Sequence, residues 1–366
     1  MSDLYPLIRP ILRRLPAEAA HRLSLRAMQV GGSRFLMGLE PDPPILRQRI
    51  WGLDFANPVG LAAGYDKDAC VPDAMLALGF GFVELGTVTP RPQPGNPKPR
   101  MFRLDQDGAV VNRMGFNSGG LDAAVARLSR RKRLGIAGVN LGKNRDSADA
   151  TADFEEGIRR AASVADYLVI NISSPNTTGL RDLQARAALD ALLRRLIEAR
   201  NTAAVRVPLL LKIAPDLTTQ QRRDIAEVAL DTGIDGLIVA NTTIARPAGL
   251  RGRQALETGG LSGRPLFAAS TALLSDMYRL TQGRLPLIGV GGIASAADAF
   301  AKIRAGANLV QLYTALVFEG PALVGRIKAG LAELLRREGF DSVGAAVGSA
   351  HAPQPIAAIE AAEPWR

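Results

Sequence analysis

One cysteine and two histidines in 366 residues leave most familiar catalytic constellations short of parts. Cys70 alone cannot close an intrachain disulfide, and a zinc site built on cysteine has no second thiolate, which suits a reducing compartment. His21 and His351 lie near opposite ends of the chain, so a Ser-His-Asp triad or a multi-histidine centre has almost nothing to draw on, and no metal is expected. Aromatic residues make up 5%, too few to offer stacking platforms for bases. The formal charge of +10 therefore points to an anionic membrane surface or an anionic small molecule, with no nucleic acid expected. Arginines are spread along the chain, and RLSRRKR at 127 to 133, the one dense run, reads as a solvated helix end. No uncharged apolar stretch reaches the roughly 20 residues that span a bilayer. The first residues alternate Arg with apolar side chains, unlike the uninterrupted apolar core of a signal peptide.

What the chain does have is 47% hydrophobic content laid out with a repeat. Short β-rich runs recur at VGLAA (59 to 63), FVELG (82 to 86), IAGVNL (136 to 141), YLVINI (167 to 172), LLLKIA (209 to 214), GLIVA (236 to 240), LIGVG (287 to 291) and LVQLY (309 to 313). Helical periodicity separates most of them, as in AALDALLRRLIEAR (187 to 200), TQQRRDIAEVALDTG (219 to 233) and SAADAFAKIRAG (295 to 306). Such alternation implies a parallel sheet buried on both faces, and eight units predict an α/β fold of the (β/α)8 TIM barrel type. An open, doubly wound sheet is the alternative, because periodicity does not show closure.

Two regions fall outside the repeat. Residues 1 to 45 carry Leu4, Leu7, Ile8, Ile11, Leu12 and Leu15 at helical spacing among Arg9, Arg13 and Arg14, followed by PAEAAHRLSLRAMQVG. This predicts an amphipathic helical extension, with Pro10 expected to shorten or kink its first helix. It reads equally as a lipid-facing element or as a simple cap on the barrel. Residues 46 to 340 are the barrel, and 341 to 366, rich in Ala, Gly and Pro without a period, are expected to form a loosely attached tail.

The C-terminal ends of barrel strands share one mouth, where chemistry occurs. Six of the eight ends here bring Asn, Lys or Thr: Lys67, Thr87, Asn140, Asn171 in NISSPNTTGL, Lys212, and Asn241 with Thr242. Strand seven ends in GVGGI, which with TGGLSG (258 to 263) supplies unshielded backbone NH groups suited to a phosphate. Lys212 is embedded in an apolar run, for which pairing with a ligand anion is the expected explanation.

In order along the chain, AAGYDKD, GTVTPRPQPGNPKPR, NRMGFNS, NISSPNTTGL, KIAPDL, NTT, TGGLSGRPL and IGVGGI resemble the dihydroorotate dehydrogenase family over about residues 45 to 335. The helical front end resembles its quinone-reducing, membrane-associated class 2. So does a serine at the base position, where soluble class 1 members place cysteine. The resemblance implies oxidation of dihydroorotate to orotate in pyrimidine synthesis, with one non-covalent FMN per chain as hydride acceptor and a membrane quinone, ubiquinone or menaquinone, as final acceptor. It implies FMN contacts at Ala63, Gly64, Lys67, Thr87, Asn140, Asn171, Lys212, Ala240, Gly263, Gly292, Tyr313 and Thr314. Substrate contacts are implied at Lys67, Asn112, Arg113, Met114, Gly115, Phe116, Asn171, Asn176, Asn241 and Thr242. Asn side chains offer a donor and an acceptor to each amide edge of such a substrate, Lys67 a charge for its carboxylate, and Lys212 a charge for the N1/O2 edge of the flavin.

Ser174 is the implied base for the C5 proton while a hydride leaves C6, with Thr177 and a water near Phe116 as its proton path. The resemblance further implies a peripheral membrane protein on the cytoplasmic face of the bacterial inner membrane, with residues 1 to 45 forming the quinone route. Residue 240 departs from the family pattern in being Ala where many relatives have Thr or Ser, and Thr314 conservatively replaces a frequent Ser. Two rival readings remain at this level: a class 1 type enzyme that reduces fumarate or a nicotinamide carrier, disfavoured by Ser174 and the front helices, and a basic barrel that binds phosphate ligands or RNA without redox chemistry.

Overall fold

A computed structural model describes residues 5–32 and 41–351 of the chain. Leu4 of the expected front helix and residues 352–366 of the expected tail lie outside the described residues. An antiparallel hairpin, β1 (Gln48–Ile50) and β2 (Leu53–Phe55), precedes the first two barrel strands, β3 (Val59–Leu61) and β4 (Phe82–Val88). The chain then leaves the barrel for β5 (Met101–Leu104) and β6 (Ala109–Asn112) and returns with β7 (Ile136–Leu141), β8 (Tyr167–Asn171), β9 (Leu209–Ile213) and β10 (Gly236–Val239). After β11 (Gly260–Gly263), β12 (Leu287–Val290) and β13 (Leu309–Leu312) complete the barrel. Val310 to Leu312 pair in parallel with Val59 to Leu61, so the eight strands close and the open-sheet alternative falls.

The helices are α1 (Tyr5–Arg14), α2 (Ala17–Gln29), α3 (Pro72–Leu76), α4 (Leu121–Leu128), α5 (Ala150–Ala161), α6 (Arg186–Asn201), α7 (Thr219–Thr232), α8 (Phe267–Leu280), α9 (Ala296–Arg304), α10 (Thr314–Glu319) and α11 (Leu323–Arg337). Local chemistry sets their ends. Thr218 and Gln221 form a reciprocal capping box at the start of α7, and Gly233, at φ 71°, takes the left-handed turn that ends it. The Ser295 hydroxyl accepts the Asp298 amide to start α9.

The hairpin plugs the N-terminal end of the barrel. Ile50 and Phe55 pack on Phe82, Tyr167, Leu210, Ile238, Ile288 and Leu309, and the Trp51 indole donates to the Asp235 carbonyl at 2.6 Å. Tyr167 fits because Gly138 faces it: a Cβ there would lie 2.1 Å from the ring. With that end filled by apolar side chains, room remains only at the other.

At the open end, β5, β6 and β11 form a three-stranded antiparallel sheet. Residues Gly260–Gly263, expected to be a Gly-rich loop, are therefore a strand, and their glycines serve close approach: a Cβ on Gly260 would meet the Thr242 hydroxyl at 1.9 Å. The front helices stand beside this sheet. Helix α1 runs on through Pro10 to Arg14, so the expected shortening does not occur: the missing NH costs one bond, and Pro10 itself is exposed to solvent. Arg103 on β5 donates to the carbonyls of Leu12, Arg13 and Leu15 at the end of α1, and Arg100 forks onto Glu18 of α2.

Residues 341–351 are not loose. Val343 and Ala346 are fully buried, the Val343 amide donates to Ile45, and His351 stacks on Tyr278 at 5.0 Å. Composition hid this because two small apolar side chains suffice to fill the available space. Val343→Ala is expected to cost roughly 2 kcal/mol in denaturant unfolding from the two buried methyl groups lost; a freely hanging segment would show no change.

Candidate active site

The floor of the open end is a charge. Glu84, fully buried on β4, accepts hydrogen bonds from Asn140 Nδ2 at 2.7 Å, Gln311 Nε2 at 2.6 Å and Lys212 Nζ at 3.4 Å, so β7, β13 and β9 each commit a side chain to it. Lys212 was expected to pair with a ligand anion; within the protein its partner is this carboxylate. A layer of amides and hydroxyls lies above. Asn140 Oδ1 accepts from Thr87 Oγ1 at 2.6 Å and Asn171 Nδ2 at 3.1 Å. Asn171 Oδ1 in turn accepts from Ser173 Oγ at 3.0 Å and Asn241 Nδ2 at 3.3 Å. Each amide is oriented by the one beneath it, which fixes which end faces upward.

Over this floor opens a cavity of about 610 Å³ that continues without interruption between α1 and α2. Ala63, Gly64, Lys67, Thr87, Asn171, Lys212, Ala240, Gly263, Gly292, Tyr313 and Thr314 line it, as do Asn112, Met114, Gly115, Phe116, Ser174, Asn176, Asn241 and Thr242. Three anticipated residues do not. Asn140 is fully buried beneath the wall, holding Glu84 and Thr87. Arg113 turns away to Glu257 at 2.6 Å and stacks over Phe102, because the antiparallel pairing of β6 and β11 brings Glu257 within reach. Thr177 is half-buried just outside the wall.

The Ser174 hydroxyl is buried and accepts the Asn176 amide at 3.2 Å. Among the described residues no imidazole or carboxylate bonds to it. Asn176 Nδ2 reaches the Asn112 carbonyl at 3.2 Å, joining the β8 loop to β6. Lys67 faces the cavity and forms no ion pair among the described residues; burial, opposed by nearby Asp68, lowers its pKa to about 8. Ala240 offers no side-chain hydrogen bond, and its amide is taken by Val290 at 3.3 Å.

Several lining or supporting residues escaped sequence reasoning. Glu84 and Gln311 had a signal, each being the polar member of an apolar strand. His21, Tyr65 and Arg103 had none, since helical spacing alone does not show that α2 leans over a barrel mouth. His21 Nδ1 lies 3.2 Å from the Tyr313 hydroxyl, and its ring meets Tyr65 edge-on at 5.3 Å.

A family model described as dihydroorotate dehydrogenase matches residues 45–335. The chain belongs to the dihydroorotate dehydrogenase family. Similar curated relatives are named dihydroorotate dehydrogenase (quinone): one from Parvibaculum lavamentivorans is 58% identical over 95% of this chain and 99% of its own, and one from Azorhizobium caulinodans 56% over 95% and 99%. Among solved structures, ligand-free DHODH from Eimeria tenella superposes with a TM-score of 0.88 at 46% identity, covering 92% of this chain and 100% of that one. The same organism's DHODH in complex with ferulenol gives 0.86 at 45%, covering 92% and 96%.

His21 brings a pH dependence to this family member's stability. Burial, then the charge of Lys67, lower its pKa from 6.5 to about 4. Between those values the unfolded chain binds a proton that the native fold refuses, so stability falls as pH drops through that window. His21→Asn is expected to lessen the loss of stability between pH 7 and pH 5, read from urea midpoints at the two values.

Proposed function

We propose that this cavity oxidises dihydroorotate to orotate with one non-covalent FMN at the strand ends, and that a membrane quinone, ubiquinone or menaquinone, reaches it between α1 and α2. The observation that carries the reading is continuity: a single cavity of about 610 Å³ joins the polar strand ends to the cleft of the front helices. FMN held there would supply a hydride acceptor for C6 and a carrier of electrons to the quinone.

The residues fit such a group. Gly291 and Gly292 hold φ of 110° and 79°, and the amides of Gly292 and Ile293 find no acceptor among the described residues, as a phosphate site requires. Lys212, steadied by Glu84, offers a fixed charge in the cavity wall, two strands round the barrel from that turn. Lys67, without a carboxylate partner among the described residues, suits the substrate carboxylate. Asn112, Asn176 and Asn241 suit its amide edges, with Thr242 beside them. Ser174 removes the C5 proton. Phe116, buried in the same wall, keeps bulk water away, and Thr177 is the next hydroxyl along the Ser174 loop to carry the proton outward.

The front end supports access from a membrane. Leu7, Ile8, Ile11, Leu23 and Val30 are exposed, with Arg13, Arg14, Arg22 and Arg26 exposed among them. Apolar side chains resting in lipid beneath arginines that meet anionic head groups describe a peripheral protein, on the cytoplasmic face of the inner membrane. Among the described residues no helix is long and apolar enough to cross a membrane.

Purified protein is expected to show flavin absorption that dihydroorotate bleaches anaerobically, with orotate appearing; a colourless protein that FMN cannot reconstitute overturns the reading. Ser174→Ala should keep FMN and orotate binding while flavin reduction slows by roughly 10² to 10⁴. Removing residues 1 to 40 should spare flavin reduction but impair turnover of long-chain quinone and weaken binding to anionic vesicles. Full quinone turnover by that truncated protein would make the helices a cap only.

A further inference from the structure

Three lysines are buried in the described fold, and two have a carboxylate within reach: Lys212 meets Glu84 at 3.4 Å and Lys328 meets Asp42 at 2.5 Å. Lys302 on α9, fully buried, has none among the described residues. Its Nζ donates to Ser270 Oγ at 2.6 Å and lies 5.2 Å from the Phe267 ring centroid. The acid one turn away on the same helix, Asp298, accepts the Ala294 amide instead. Burial lowers the Lys302 pKa to about 7, so the protein alone holds this ammonium at the edge of losing its proton. A buried cation left in that condition is costly unless an anion is supplied from elsewhere.

The surroundings of Lys302 lead to one place. Ser270 Oγ lies 3.1 Å from both the Gly291 and the Phe267 carbonyls and shares its one proton between them. A Cβ on Gly291 would lie 2.8 Å from that hydroxyl, and one on Gly292 would lie 2.5 Å from Phe267 Cβ. Lys302, Ser270 and Phe267 are thus the back of the Gly291–Gly292 turn, whose front is the cavity wall with its unaccepted amides.

We propose that Lys302 is a positioning residue and buried counter-charge for the phosphate of the flavin nucleotide, acting through Ser270 on the Gly291–Gly292 turn. This rests on the FMN reading of the cavity. Lys302 does not line the cavity and touches no ligand. It polarises the Ser270 hydroxyl, whose bond to the Gly291 carbonyl holds that carbonyl back and leaves the following amides facing forward. Its charge, screened only by protein, favours a dianion in front of the turn. A non-phosphorylated flavin would gain nothing from it.

The test is exchange on the holoenzyme. Protein saturated with FMN is equilibrated with riboflavin, and the bound flavin is identified after ultrafiltration and acid release. Wild type should retain FMN strongly. Lys302→Met should shift the exchange constant toward riboflavin by about ten-fold or more, as expected for loss of one charge several ångströms away at low dielectric. Lys302→Arg should largely restore it, and Ser270→Ala, which keeps the lysine but cuts the link and is the fallback should Lys302→Met not fold, should shift it the same way. An unchanged exchange constant in Lys302→Met, or in Ser270→Ala where that stands in, makes Lys302 a packing residue and overturns the proposal. Wild type that fails to prefer FMN over riboflavin overturns the FMN reading itself.

Discussion

A carboxylate on the barrel axis has to be neutralised where water cannot reach it, and the active end is organised around meeting that demand. Glu84 draws Asn140, Lys212 and Gln311 from three other strands into one hydrogen-bonded set. Asn140, held from below, fixes Thr87 and Asn171; Asn171 then orients Ser173 and Asn241. Side chains that would otherwise rotate freely at a cavity wall are tied to a buried anion, and removing that anion would leave Lys212 as an uncompensated cation. The same carboxylate keeps Lys212 pointed at the cavity instead of out to solvent.

Above this floor, two different solvents meet in one volume. The strand ends are polar and enclosed, whereas α1 and α2 present apolar side chains outward and line the far end of the cavity. What joins them is a set of tethers, some uncharged, such as the Tyr5 hydroxyl on the Val317 carbonyl and Tyr313 beside His21, and some cationic. Arg103 ends α1 by taking three of its terminal carbonyls, and Arg100 holds Glu18 of α2. Both arginines lie on or beside β5, in the extra sheet that grows out of the barrel loops, so the sheet sets where the helices stand over the mouth.

Much of the site could be read from residue types alone, for a physical reason. Polar side chains at the ends of apolar strands seldom serve packing in a barrel, so Lys67, Thr87, Asn140, Asn171, Lys212, Asn241 and Thr242 stood out, and all but Asn140 line the cavity. Glu84 and Gln311 carried the same signal from strand interiors. Asn140, expected at the mouth, and Arg113, expected on the substrate, turn elsewhere, because which way a side chain turns depends on a partner from a distant segment: Glu84 for the first, Glu257 for the second.

The alternation of eight apolar runs with helical segments, and the turn and cap residues between them, determined the α/β class, strand boundaries to within a residue or two, and the end of the fold that carries chemistry. These are properties of local periodicity and local hydrogen bonding, which the chain expresses without reference to distant residues. Closure of the barrel, the pairing of Gly260–Gly263 with β6, the docking of residues 341–351 and the lean of α2 that brings His21 to Tyr313 were decided only by tertiary structure. Each depends on burying surface or satisfying a polar group against a segment far away in sequence, and no local pattern encodes the identity of that segment.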